Sequence, residues 1–228
     1  MIKRYSRDEI SKIWELESKF SYYLKVELAV VEAHNKLGVI DDIALNHIKN
    51  TAKFDLRRID EIEKIVQHDV IAFLTSVNEN VGDKYSNLIH KGLTSSDVID
   101  TAFALQIIDA SKIILKDLDD VIEAFKNLAA KTKYTLCTGR SHGIGAEVET
   151  FGFKILNHLE MFNRAKERFL YAVDEISTGQ ISGPVGTYSN IDPEVEKITL
   201  EILGLKPAKI STQIIARDIH ANYIAALA

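Results

Sequence analysis

Thr94-Ser95-Ser96-Asp97-Val98-Ile99-Asp100-Thr101-Ala102 opens the stretch that decides the fold of this 228-residue chain. Behind it, Leu105, Ile108, Leu115, Leu118, Ile122, Phe125 and Leu128 recur at helical spacing, with no glycine or proline among them. A helix of roughly 30 residues would run ~45 Å, far beyond the ~11–12 residues of an average globular helix. Helices of that length belong to bundles. The opening string carries more hydroxyls than a helix start needs. Thr94 or Ser95 can cap the first-turn amides, which is the ordinary meaning of such a string. A helix N-terminus with spare hydroxyls is also a seat for an anion, and a carboxylate ligand fits it.

Working outward, the rest of the chain reads as helical too. Proline is absent before Pro184, and seven of the eleven glycines lie between Gly139 and Gly186, so irregular backbone is concentrated in one region. Ser6 and Glu9 have the spacing of a capping box at a first helix. A second helix is expected from about Phe20, with Leu24, Leu28 and Val31 on one stripe and Gly38 as its C-terminal cap. A third is expected from about Ile59 to Val77, with Ile62, Val66, Val70, Phe73 and Val77 aligned. Others are expected over about Ala146 to Ile176, from Asp192-Pro193 to Gly204, and onward from Arg217. The last has no cap before Ala228, so the chain reads as part of a longer protein. The fold class is all-α. Residues 1–93 form a small N-terminal helical domain, and residues 94–228 form the first part of a central long-helix bundle.

Composition narrows the function classes. A hydrophobic fraction of 46% supplies a core, and the net charge of −5 comes without a long basic run, which disfavours a nucleic-acid groove. The charged start lacks the apolar core of a signal peptide, and no apolar stretch approaches the ~18 residues of a membrane span. A single cysteine, Cys137, has no internal disulfide partner, which fits a reducing compartment and makes cytoplasm the expected location. Neither an HExxH motif nor a Cys/His cluster suggests a metal, and no glycine-rich phosphate loop suggests a dinucleotide.

Three further segments exceed what packing requires. Gln67-His68-Asp69 falls inside the expected third helix, where His68 lies roughly opposite the apolar stripe. It is either a solvated face or a cleft-facing imidazole beside a carboxylate. Gly139-Arg140-Ser141-His142-Gly143-Ile144-Gly145 surrounds one histidine with three glycines, giving backbone room for a ligand to approach. Ser211-Thr212-Gln213, followed by Arg217, Asp218 and His220, is polar before the last helix. It can simply cap that helix, and Arg217-Asp218 can be a structural pair. Ser182 to Tyr188 reads as a tight turn with close backbone contact. His34, His47 and His158 lie in or near helices without partner motifs.

Taken in order, these segments resemble the fumarase/aspartase superfamily, specifically the branch that releases fumarate from succinylated purine nucleotides. The resemblance rests on Arg4-Tyr5-Ser6, His68-Asp69-Val70 with Ala72-Phe73, Gly92 to Asp97 with Asp100-Thr101-Ala102, Gly139 to Gly143 with Ala146-Glu147 and Thr150-Phe151-Gly152, Ser182 to Pro193, and Ser211-Thr212-Gln213 with Arg217-Asp218 and His220-Ala221. It covers essentially the whole chain. Gly145, Val148 and Glu149 depart from the usual residues beside the ligand loop but leave His142 in place. The superfamily's mobile Gly-Ser-Ser loop, which carries the serine base, is expected beyond residue 228, so this chain alone is expected to be inactive.

The resemblance implies a β-elimination without a cofactor. A proton leaves the carbon beside a carboxylate, and the carbon–nitrogen bond then breaks to give fumarate and AMP, or fumarate and aminoimidazole carboxamide ribotide. The doubly charged carboxylate of the intermediate needs fixed donors, a role for Thr94, Ser95 and Gln213. Imidazole titrates near ~6.5 and suits proton delivery to the leaving nitrogen at neutral pH, which assigns the general acid to His142. His68 would bind and orient with Gln67 and Asp69, and Arg4 and Tyr5 would hold the nucleotide end. His90 can also approach the ligand. The resemblance further implies a homotetramer with shared active sites. The rival readings are a sister lyase acting on carboxymuconate or argininosuccinate, and a helical scaffold that has lost catalysis.

Overall fold

The computed structural model describes residues 2–228, apart from the side chain of Lys3. Nine helices carry the described chain: α1 (Asp8–Ile13), α2 (Leu16–Lys36), α3 (Asp42–Thr51), α4 (Leu56–Val66), α5 (Asp69–Val81), α6 (Ser95–Lys131), α7 (Phe151–Ile176), α8 (Pro193–Leu203) and α9 (Asp218–Leu227). The all-α class holds. α6 is longer than its pattern suggested: its 37 residues would span ~55 Å at 1.5 Å per residue.

Two sequence signals worked as written. Gly38, at φ +73°, donates to Asn35 O while Val39 donates to His34 O, the paired bonds of a Schellman cap on α2. Asp192 caps α8 through the Glu194 amide with Pro193 at the first helical position, and Gly204 closes it in the left-handed region.

Three expectations are corrected. The Ser6–Glu9 capping box is not made: α1 starts behind Arg7, which gives no side-chain cap, and the Ser6 hydroxyl donates to Ile2 O. The third helix is two helices. Gln67, at φ +54°, leaves the helical path after Val66, and His68 restarts it as the N-cap of α5. The break explains why Val66 is 40% exposed while Val70, Phe73 and Val77 are buried. The helix expected from Ala146 begins at Phe151 instead. Residues before it form an antiparallel hairpin, β1 (Leu136–Ser141) and β2 (Ile144–Thr150), with a bulge between Thr138 and Arg140. His142 and Gly143 are its two turn residues, at φ +53° and +75°, as a type I′ hairpin turn demands.

The chain divides into two compact units, one running to Asp109 and including Ile176–Asp218, the other comprising Ala110–Glu175 and Ile219–Ala228. In the first unit, α2 packs on α3 and α8, and α4 packs on α5. Its aromatic centre is Phe20, stacked on Phe73 at 5.4 Å with Tyr23 edge-on to Phe73 at 5.7 Å. Two short parallel strands, β3 (Thr178–Gly179) and β4 (Lys206–Pro207), lie in the same unit. In the second unit α7 follows the hairpin through Gly152, where an added Cβ would come within 2.5 Å of Ala129 O. Phe169 packs on Tyr223 of α9, whose hydroxyl meets Ser111 Oγ at 2.9 Å.

His34 is buried near the end of α2, its Nε2 3.5 Å from Lys91 O and its Nδ1 without a hydrogen-bond partner among the described residues. Desolvation by burial disfavours the imidazolium and moves the group below its ordinary value of 6.5. The unfolded chain therefore takes up this proton first, and the stability His34 supports above pH 6.5 is lost as pH falls below it. The thermal midpoint is expected to drop between pH 7.5 and 5.5, and His34→Asn should flatten that drop. An equally steep drop in the variant would contradict the assignment.

Candidate functional site

The site is built around a buried carboxylate at the start of α6. Asp97 is fully buried and accepts three main-chain N–H groups: Thr94 at 2.9 Å, Ser182 at 3.0 Å and Gly183 at 3.1 Å. The Thr94 bond is half of a capping box, in which the third helical residue reaches back to the N-cap amide. It corrects the expectation that Thr94 or Ser95 caps the first-turn amides: among the described residues neither hydroxyl accepts one, and Asp97 accepts the Thr94 amide instead. Burial pushes the Asp97 carboxyl above the usual carboxylate range, against the opposing pull of the three amides and of His90.

From Asp97 the bonds run into two other segments. Ser182 Oγ meets Ser211 Oγ at 2.8 Å, and the Gln180 amide donates to Gln213 O at 2.7 Å. Gly186, at φ +76°, lies so close that an added Cβ would sit 2.3 Å from Ser211 O. One helical turn past Asp97, Asp100 accepts the Ile215 amide and the Arg217 guanidinium, both at 2.9 Å. Arg217 thus pairs with Asp100 rather than with Asp218. Thr101 and Glu196 complete the work: Thr101 Oγ1 exchanges hydrogen bonds with the Gln180 main chain, and Glu196 accepts the Ile181 amide and the Tyr188 hydroxyl, each at 2.7 Å. Residues 94–101, 180–188 and 211–217 are thereby stitched together, which brings the Thr94-Ser95 and Gln213 segments into one network. Gln213 keeps its side chain exposed while its carbonyl is held.

Gln67, His68 and Asp69 form a second cluster in the same unit. His68 Nδ1 accepts the Ile71 amide at 3.4 Å, which places the ring proton on Nε2. Asp69 accepts the Val70 amide at 2.8 Å and, through its other oxygen, Lys19 Nζ at 3.2 Å. Burial opposes the Lys19 charge, but Tyr23 and Asp69 outweigh it and the amine is held above its ordinary value. The three residues line a cavity of about 560 Å³ together with Lys19, Asp60 and Glu63. Arg4 and Tyr5 lie on a 3-10 turn, with the Arg4 guanidinium 4.8 Å from the Tyr5 ring centroid and the ring 75% exposed.

His142 belongs to the second unit. It is exposed at the hairpin tip, and beside the hairpin lies a cavity of about 770 Å³ lined by Arg140, Glu147, Glu149 and Phe153 among others. Among the described residues no group of three or more His, Cys, Asp or Glu side chains is arranged to hold a metal. Reading the sequence missed Asp97, Lys19 and Glu27 as organising charges. Asp97 had a signal, the three-residue spacing from Thr94; Glu27 had a weaker one, a carboxylate amid the apolar run of α2.

The chain matches the family described as lyase over residues 3–228. It belongs to the lyase family. Among curated relatives of this lyase, the adenylosuccinate lyase of Synechocystis sp. is 50% identical over the whole chain, and that of Bacillus subtilis 47%. The chain spans 53% of the length of each. The fold is shared with a crystal structure of a fumarate lyase from Mesorhizobium sp. BNC1, with a TM-score of 0.89 and 26% identity across 97% of this chain and 53% of that one. It is shared also with the 3-carboxy-cis,cis-muconate lactonizing enzyme of Pseudomonas putida, with a TM-score of 0.87 and 21% identity across 98% of this chain and 52% of that one. The lyase sequence thus carries the superfamily fold in roughly half the length of these relatives.

If Asp97 is the tie that orders this region, Asp97→Ala strands three buried donors, each worth ~1–3 kcal/mol when left unmade. Chemical denaturation should register a loss of about 3 kcal/mol or more. A loss under about 1 kcal/mol would remove Asp97 from its central position.

Proposed function

We propose that this chain is the N-terminal portion of an adenylosuccinate lyase, which eliminates fumarate from adenylosuccinate to leave AMP and from succinylaminoimidazole carboxamide ribotide to leave aminoimidazole carboxamide ribotide. The observation that carries the proposal is the start of α6, where Asp97 answers the Thr94 amide and, among the described residues, the hydroxyls of Thr94 and Ser95 accept no first-turn amide. Aligned helix amides and two hydroxyls, beside a segment bearing the Gln213 amide, form a seat for a carboxylate. The relatives named adenylosuccinate lyase, 41–50% identical across the chain, supply the substrate class.

The chemistry then follows from charge. Removing a proton beside a carboxylate loads a second negative charge onto that group, and each preset donor to such an oxyanion is worth ~2.7–4 kcal/mol. Thr94, Ser95 and Gln213 take that role. As the carbon–nitrogen electron pair leaves with the amine, His142 delivers a proton to the nitrogen. It is exposed at a two-residue turn, so a ligand can reach it. His68, with its Nε2–H free to donate, orients the substrate with Gln67 and Asp69. Arg4 and Tyr5 grip the nucleotide end. The base is supplied from the part of the enzyme outside this chain, and no cofactor takes part.

The working enzyme is a cytoplasmic homotetramer with active sites shared between subunits. Residues 1–93 serve as its N-terminal domain and residues 94–228 open its central bundle. Exposed apolar side chains support assembly. Leu136, Ile144 and Val148 of the hairpin are 72–75% exposed in the single chain, as are Phe153 of α7 at 66% and Ile224 of α9 at 63%. Among the described residues, no helix is long and apolar enough to cross a membrane.

Full-length enzyme should release fumarate from adenylosuccinate and none from argininosuccinate, followed by absorbance. His142→Ala should lower kcat by roughly 10²–10⁴-fold, the usual worth of a general acid. A variant with full turnover would end the assignment of His142, and turnover of argininosuccinate alone would move the protein to the sister activity.

A further inference from the structure

Glu27 is a carboxylate placed where α2 should be apolar. Its side chain is 1% exposed, flanked by the buried Tyr23, Val26 and Val30. An uncompensated charge does not persist in such surroundings. Its compensation comes from a single residue 63 positions away: His90 donates its main-chain N–H to one oxygen at 2.9 Å and brings its ring Nδ1 to the other at 2.7 Å. The same histidine holds φ at +59°, a left-handed conformation that a non-glycine residue keeps only when its surroundings impose it. Two residues later Gly92 is pressed against Asn190, where a Cβ would lie 2.5 Å from its carbonyl oxygen. Thr94 follows two residues after that. The turn feeding α6 is therefore fixed from both sides, by α2 and by the loop before α8.

The bidentate contact also settles the ring. With Nδ1 committed to Glu27, the nitrogen left for other chemistry is Nε2, which has no hydrogen-bond partner among the described residues. The His90 side chain is 22% exposed against 1% for Glu27, so the ring spans from the core toward solvent. A carboxylate that fixes tautomer and orientation of an imidazole is a recurring way to ready its far nitrogen. We propose that Glu27 is a positioning residue for the elimination: it sets the His90 ring and the left-handed turn, so that His90 presents Nε2 beside the anion seat at the start of α6. The link to the elimination rests on the function proposed above; the Glu27–His90 lock does not.

The test uses full-length enzyme, as wild type, Glu27→Gln, His90→Gln and the double variant. In the wild type, ring ¹⁵N NMR should find the proton on Nδ1 of His90. Glu27→Gln should lower kcat/KM for adenylosuccinate roughly 10–100-fold, the scale of a misplaced reacting group. The double variant should be no worse than His90→Gln alone, because Glu27 acts through that ring. A purely structural Glu27 would instead make the two losses multiply, and that result overturns the proposal. So does a wild-type ring that carries its proton on Nε2, a reading that needs no variant to fold. Wild-type enzyme that ignores adenylosuccinate would sink the functional reading, while the ring signals would still decide the lock.

Discussion

A carboxylate that water cannot reach, answering three peptide N–H groups, is the constraint on which the rest of the site depends. Asp97 could be buried only if donors met it, and the donors it found belong to Thr94, Ser182 and Gly183. One side chain thus fixes the start of a long helix and anchors a distant loop. Beside it, the hydroxyls of Thr94 and Ser95 accept no first-turn amide among the described residues.

The same device recurs through the first unit. Asp100 holds Ile215 and Arg217, Glu196 holds Ile181 and Tyr188, Glu27 holds His90, and Asp69 is held by Lys19. Each acid sits on a helix and grips irregular backbone or a side chain far along the sequence. Apolar packing of Phe20, Tyr23 and Phe73 supplies a rigid floor, but it is non-directional and cannot fix where a loop amide points. Hydrogen bonds to buried acids can, since leaving one unmade is costly. The second unit shows another solution. There a short hairpin exposes His142 on a two-residue turn, and apolar side chains on its strands remain open to solvent in the single chain.

What the sequence made legible follows from the range of the signals. The long helix from Thr94, the Gly38 and Gly204 caps and the Asp192-Pro193 start each depend on residues within one turn of one another, so pattern and structure agree. The break at Gln67 had no glycine or proline to mark it; the chain turns left-handed because α4 and α5 each bury their own apolar face, which tertiary packing decides. The hairpin was hidden for a similar reason. Ala146, Glu147 and Val148 suit a helix as well as a strand, and His142-Gly143 is not the Asn-Gly pair that announces a type I′ turn. The partners of Glu27 and Asp100, and the loop partners of Asp97, lie 63 to 117 residues away, beyond any local pattern.

The most direct measurement is a crystal structure of the full-length enzyme with adenylosuccinate bound, in a variant too slow to turn it over. The account predicts a succinyl carboxylate within hydrogen-bond distance of the Thr94 or Ser95 hydroxyl and of the Gln213 amide, with Asp97 still gripping the amides of Ser182 and Gly183. A succinyl group lodged elsewhere, with those hydroxyls facing only water, would contradict it.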